Sequence, residues 1–434
     1  MRRPPIPLLL AGLLLGACAP ARPGSDPGDD SDMASATGPG PKDPPPPPVP
    51  QATLTGQVLA PEGTIPIAGA LIYASARAPD ALPGKLACDR CVKITDGTPY
   101  ATSAPDGRFS LPVPIRNRYY LVVQKGAFRR VRTIDVGDVA NTTIAVPAAQ
   151  TTLPGKSDPA AGDDIPRMAV VAGQWDKIEV TLAKLGLGKL KLLGVDKASL
   201  AFDLYGDGLP FDPKFKDPAK LLRDPALLAQ YQVLFLPCSG SSGTTCTDTS
   251  STDPKLQKPL QDFVAQGGKL YVTDYSYEYI RQLWPGYISW EDETAKVGSA
   301  CQSQSYDAPA TVGDTGMKDW LKAQGINDFS LQDNWTTINK VSTVATTDLD
   351  GKPAMVTPKV WVAGMTPSGQ RPMTMSFVRG CGRVLYSTYH TEAELAGNNL
   401  LPQEKALLYV LLETQVCVQP PVLGARGETP PPER

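Results

Sequence analysis

The only histidine of the 434-residue chain, His390, stands in the run Leu385-Tyr386-Ser387-Thr388-Tyr389-His390-Thr391-Glu392, so any imidazole chemistry must happen there. Residues two apart on a strand face the same way, and His390 and Glu392 would therefore address one surface. Asp274 closes another apolar run, Lys269 to Asp274. If its carboxylate reaches the imidazole, it favours the protonated ring. Three readings of this constellation stand side by side. It could form a ligand pocket, or a general-base pair acting on water. Alternatively, His390 caps a strand through hydrogen bonds and Glu392 starts the following turn. A second chemical pattern is Cys88-Asp89-Arg90-Cys91. This spacing suits a redox pair or half of a zinc site, but zinc needs four ligands and no second cysteine pair or histidine stands nearby. No metal and no cofactor are expected.

The elements that must position these residues centre on Tyr231 to Ile280. Gln232 to Pro237 is a short apolar strand that ends in a Ser/Gly loop at Ser239-Gly240. Leu260, Phe263 and Val264 give helical spacing, Gly267-Gly268 stops the helix, and Lys269 to Asp274 is extended again. Strand, helix, strand makes a parallel unit whose ligand edge lies at the carboxyl ends of its strands. Ser239, Gly240 and Asp274 all fall on that edge. Upstream, Met168 to Gly173 reads as a strand entering a helix with Ile178, Leu182 and Leu185 on one face. Downstream come the β runs near Val360 and Met373, the strand holding His390, and a final helix begun by Pro402. The alternation predicts a doubly wound, flavodoxin-like α/β sheet with an antiparallel addition over residues 167–417.

The order of these elements resembles the class I glutamine amidotransferase-like fold. VLFLPCSGSSG resembles that family's oxyanion strand and loop, and LYSTYHTE its His-x-Glu strand, with His390 and Glu392 in the matching places. The nucleophile position falls in LYVTDYSYEY, where Asp274 replaces the family's cysteine and Ser276 stands where a glycine would. A carboxylate cannot form the thioester that glutamine hydrolysis requires. The resemblance therefore implies a degenerate site, a pseudoenzyme, with Ser239, Gly240, Asp274, Tyr275, His390 and Glu392 as its binding set. A hydrolase using His390 with Asp274 or Glu392 is the rival expectation. The aromatics Tyr275, Tyr277, Tyr279, Trp284, Tyr287 and Trp290 either line a sugar or peptide surface or pack between a helix and its loop.

Residues 52–150 carry short β runs separated by turns, with Asp106-Gly107 between flanking strands and Phe109, Leu111 and Val113 alternating. These features predict a small β-sandwich. The pattern TGQV…PIAGALIYA…ATSAPDGRFSLPV…YYLVVQKGAFRRV resembles the carboxypeptidase regulatory-like domain, a prealbumin-type sandwich. That resemblance implies a spacer or binding module and transfers no catalytic residue. Residues 151–166 are expected to link this sandwich to the α/β domain, in a multidomain chain.

The first 17 residues combine Arg2-Arg3 with the apolar run Ile6 to Leu15, an export signal too short for a good membrane span. Leu15-Gly16-Ala17-Cys18 resembles a bacterial lipobox, which implies acylation of Cys18 and anchoring in a lipid bilayer. Ala19 in place of Asp points to the outer membrane, on its periplasmic or surface face. Residues 18–51, with Pro44 to Pro48 in one run, form a solvated spacer, and 418–434 a frayed tail. The net charge of −2 gives no reason to expect nucleic-acid binding; an envelope protein, peptide or glycan is the expected partner, or docking as a structural part of an envelope machine. Without Cys18, seven cysteines remain, and the expected disulfides are Cys88–Cys91, Cys246–Cys301 and Cys381–Cys417, with Cys238 buried.

Overall fold

The computed structural model describes residues 48–88, 92–95, 97–192, 194–208, 212–239, 249–348, 351–391, 399–413 and 418–419. The described residues from Val49 onward belong to one compact unit. The proposed signal peptide, Cys18, Cys91, Gly240, Cys246, Glu392 and Cys417 lie outside the described residues.

Near the amino end, a three-stranded sheet is centred on Gln51–Gln57, with Arg108–Pro114 and Thr143–Ala145 on either side. Phe109, Leu111 and Val113 are buried and Arg108, Ser110 and Pro112 are exposed, the alternation a one-sided strand requires. Leu54 and Val113 from this sheet share a core with Ile72, Leu121 and Val123 from a five-stranded sheet. That second sheet ends on Asp163–Asp164, which pairs with Phe128–Val136. The stretch expected to be a linker thus contributes an edge strand.

The larger sheet has nine strands. Five run parallel: Asp203–Tyr205, Met168–Val171, Val233–Leu236, Lys269–Thr273 and Gly382–Ser387, in that spatial order. Val233–Leu236 and Lys269–Thr273 are buried at every position, because strands covered on both faces need an unbroken apolar run. Between them lies the helix Pro254–Ala265. Asp253 caps its first turn by accepting from the Lys255 amide at 2.9 Å, and Leu256, Leu260, Phe263 and Val264 face inward. The remaining four strands, Gly369–Arg379, Lys359–Thr366, Cys301–Val312 and Ser330–Thr336, are antiparallel.

The expected multidomain architecture with a doubly wound, flavodoxin-like α/β domain is therefore corrected. The described residues form seven sheets, and sheet dominates the structure. The βα alternation read at Tyr231 to Ile280 does not continue through the chain. Residues 301–379 instead supply long strands with many exposed positions, such as Cys301–Val312, which suit an antiparallel sheet open to water on one side. Among the described residues, no helix is long and apolar enough to cross a membrane.

The disulfides are corrected as well. Cys88 is bonded to Cys381, with Cα atoms 5.3 Å apart, which excludes both Cys88–Cys91 and Cys381–Cys417. The physical reason is a close approach. The Ala87 backbone packs on Gly267, whose φ of 112° suits the end of the preceding helix, and the Cys381 amide donates to Ala265 O at 3.1 Å. Both cysteines thus meet at the carboxyl end of one helix. Cys301 is also disulfide-bonded. Cys238 is free and buried.

Candidate functional site

Four parallel strands end side by side, and their following residues form the site. Asp274 comes directly after Lys269–Thr273, Cys238 shortly after Val233–Leu236, His390 shortly after Gly382–Ser387, and Asp176 in the loop after Met168–Val171. Asp274 adopts φ 43°. This left-handed conformation costs a non-glycine residue on the order of 1 kcal/mol, and Asp tolerates it better than most.

That turn aims the Asp274 carboxylate inward. Its Oδ2 lies 3.2 Å from His390 Nε2, and its Oδ1 accepts from the Thr336 hydroxyl at 3.1 Å. The Tyr386 hydroxyl donates to the Asp274 main-chain oxygen at 3.0 Å and sits 2.7 Å from Thr336 Oγ1. Asp274 is 0% exposed and His390 6%. Cys238 joins the pair: its sulfur, His390 and Asp274 offer donor atoms that all lie within 4.8 Å of one another.

Burial opposes a charge on His390, but Asp274 and Cys238 favour it, and the ring is held protonated well above its ordinary range. Burial also pushes the Asp274 carboxyl up, against His390 and Thr336. Of these opposing tendencies the geometry favours the ion pair, since both carboxylate oxygens face a donor. Burial pushes the Cys238 thiol up to about 12, which leaves it neutral and a poor nucleophile near neutral pH.

A second network sews the strand ends together. The Cys238 amide donates to Thr273 Oγ1 at 2.7 Å, and that hydroxyl donates to Asp176 Oδ2 at 2.7 Å. Asp176 Oδ1 accepts from the Thr391 amide at 3.1 Å and from the Thr391 hydroxyl. Gly173 makes this crossing possible: a Cβ there would meet Asp176 O at 2.5 Å and Cys238 O at 2.8 Å.

The structure thus brings Asp274 and His390 together, while Glu392 and Gly240 lie outside the described residues. Ser239 is half-buried. Tyr275 is half-buried too, edge-on to Trp335 with ring centroids 5.7 Å apart, and its hydroxyl donates to Gln302 O at 3.3 Å. Tyr277, Trp284, Tyr287 and Trp290 are packed inside, Tyr287 stacking on Phe377 at 4.1 Å. Glu291 is taken by Arg371 at 2.8 Å.

Sequence reasoning missed Asp176, Thr336 and Tyr386, and it did not place Cys238 beside the pair. Asp176 stands three residues beyond the predicted strand Met168 to Gly173, a position that could have drawn attention to it. Thr336 and Tyr386 carry no comparable signal. A groove lies at the opposite, amino edge of the sheet. It measures about 480 Å³ and is lined by Pro83, Lys156, Asp164, Arg167, Asp203 and Gln232 among others.

No family model matches the sequence, and no curated protein does. Among solved structures, a β-galactosidase from Bacillus circulans sp. alkalophilus matches 58% of this chain and 31% of its own, at 13% identity and a TM-score of 0.31. An exo-β-1,4-mannosidase from Opitutaceae bacterium strain TAV5 matches 62% of this chain and 38% of its own, at 11% identity and a TM-score of 0.29. A cytoplasmic protein from Salmonella typhimurium matches 57% of this chain and 98% of its own, at 10% identity and a TM-score of 0.33. The chain spans less than half the length of either glycosidase. All of these likenesses are weak.

Proposed function

We propose that the chain is a lipid-anchored protein of the bacterial envelope that binds or scaffolds other envelope components and performs no catalysis. The observation that carries the non-catalytic reading is the closure of the Asp274–His390 pair. A general base must come within hydrogen-bond reach of the proton it removes. Here the carboxylate is fully buried, with Thr336 on one oxygen and His390 on the other. An envelope protein, peptide or glycan is the partner this reading implies, with no nucleic acid. The anchored half of the reading is supported by Leu15-Gly16-Ala17-Cys18 and the proline-rich spacer behind it.

The test uses the full chain expressed in a Gram-negative host. Wild-type protein is expected to incorporate labelled fatty acid and to fractionate with the outer membrane, and Cys18→Ser is expected to do neither. Purified wild type is expected to leave peptide, amide and glycoside substrates unhydrolysed. Turnover that disappears in His390→Ala would replace this reading with that of an envelope hydrolase. The convergence of Asp274 and His390 at a strand end is the one feature favouring that second reading.

A further inference from the structure

We propose that Cys238, Asp274 and His390 are three ligands of a buried divalent transition-metal site, of the zinc class, that fastens the ends of three parallel strands. The three side chains present a sulfur, an oxygen and a nitrogen, a donor set suited to a borderline-soft ion and poorly suited to magnesium or calcium. Donors at about 2.0–2.3 Å from a tetrahedral ion stand about 3.3–3.6 Å apart. The 3.2 Å between Asp274 Oδ2 and His390 Nε2 already matches one such edge. The 4.8 Å bound on the cluster leaves the sulfur at most about an ångström to close, within reach of a small rotation.

The surroundings are those of a supported site. The Asp274 oxygen turned away from the imidazole is held by Thr336, as ligating carboxylates usually are. The Cys238 amide is pinned to Thr273, which fixes the strand end carrying the sulfur. Cys238 is the free cysteine among the described residues, so its thiol is available. All three side chains are buried and lie on three different strand ends, so an ion here would cross-link the sheet. A single enclosed water, shut off from bulk solvent like the pair itself, completes the coordination. Binding forms the metal–sulfur, metal–nitrogen and metal–oxygen bonds while the thiol and the imidazolium each release a proton to solvent, with no change of oxidation state. The sequence offered Cys88 with Cys91 and the acidic run Glu291 to Glu293 as metal-binding patterns, and neither has the ligand spacing of a metal site. The inference is independent of the proposed function, since a structural ion suits a scaffold.

The experiment loads the chelator-stripped full chain with cobalt(II) and records stoichiometry and absorption. Wild type is expected to take up one equivalent, with tetrahedral d–d bands and a thiolate-to-cobalt charge-transfer band. Cys238→Ser is expected to lose the charge-transfer band. His390→Gln is expected to lose more affinity than the roughly 10–100-fold that removal of a supporting hydrogen bond causes. Thr336→Val, which keeps all three ligands, is expected to fall within that 10–100-fold range. Failure of folded wild type to bind a stoichiometric ion overturns the proposal even if a variant does not fold. A charge-transfer band that persists in folded Cys238→Ser overturns it equally.

Discussion

Two clusters in this molecule use aspartate to opposite ends. In the five-stranded sheet, Arg129, Arg130 and Arg132 face Asp163 and Asp164. Arg130 grips Asp163 through two bonds of 2.9 and 2.8 Å, Arg132 adds a third at 2.9 Å, and Arg129 holds Asp164 at 2.8 Å. The side chains of Arg130 and Asp163 keep 15% and 13% of their exposure. At the strand ends of the large sheet, Asp274 has no exposure at all and meets one imidazole. The first cluster matches planar guanidinium forks to carboxylates and fastens an edge strand. The second gathers unlike donors around one point. The difference teaches that charge pairing alone does not mark a functional centre; the mixture of donor types and complete burial do.

The comparison breaks most visibly at Asp163. Removing one partner of a largely buried pair leaves uncompensated charge, so Asp163→Ala should destabilise the fold by about 3–5 kcal/mol in chemical denaturation. A loss below about 1 kcal/mol would mean the lattice is ornamental. The counterpart at the strand ends is Asp176→Ala, which strands the Thr391 amide and the Thr273 hydroxyl. A loss of about 1–3 kcal/mol is expected, together with weaker binding in the cobalt titration if Thr273 and Cys238 move with it.

Acid and alkali should separate structural carboxylates of two kinds. Burial works against charge on Asp163, but Arg130 and Arg132 outweigh it and hold the carboxyl below its ordinary value. Its contribution is therefore present above the unfolded value of about 3.9 and lost as pH falls through the lower folded value. Glu404 does the reverse: burial pushes it up to about 7, against the Leu401 amide and the Thr181 hydroxyl. The folded state keeps a proton there that the unfolded chain has already released, so stability falls as pH rises from 4.5 to about 7. The fall amounts to at most about 3 kcal/mol. Glu404→Gln should flatten the stability profile over that window and leave the acid limb unchanged. An unchanged slope would show that Glu404 is already ionised in the fold.

The smallest expected effect is at Glu179. Burial also pushes this carboxyl up to about 7, and its Oε2 lacks a hydrogen-bond partner. At pH 8, Glu179→Gln should stabilise the protein by about 1 kcal/mol, read as a rise in Tm. A fall in Tm would give the carboxylate a use that the geometry does not reveal.

What could be read from the sequence follows from the range of the interactions involved. The strand–helix–strand unit from Gln232 to Asp274 was legible because its apolar run, helical spacing and glycine stop are all local. So was the alternation of Phe109, Leu111 and Val113. The antiparallel half of the large sheet was not, since Cys301–Val312 reads as a polar, irregular stretch until its partners on both sides are known. Cys88–Cys381 spans 293 residues, and no spacing rule reaches that far. At the site, His390 drew attention by being the sole histidine, and Asp274 by ending a strand. Thr336, Tyr386 and Cys238 join them only through packing, and nothing local announces that.

The central claim is that the Asp274–His390 pair is closed to solvent, and the single histidine makes this unusually direct to test. Chelator-treated full chain would be exposed to diethyl pyrocarbonate, and carbethoxylation would be mapped on the peptide carrying His390. The account predicts that His390 resists modification in the native protein and reacts only once the chain is unfolded. Reaction of native His390 at the rate of a free imidazole would contradict it, and would put an accessible base where this account places a sealed one.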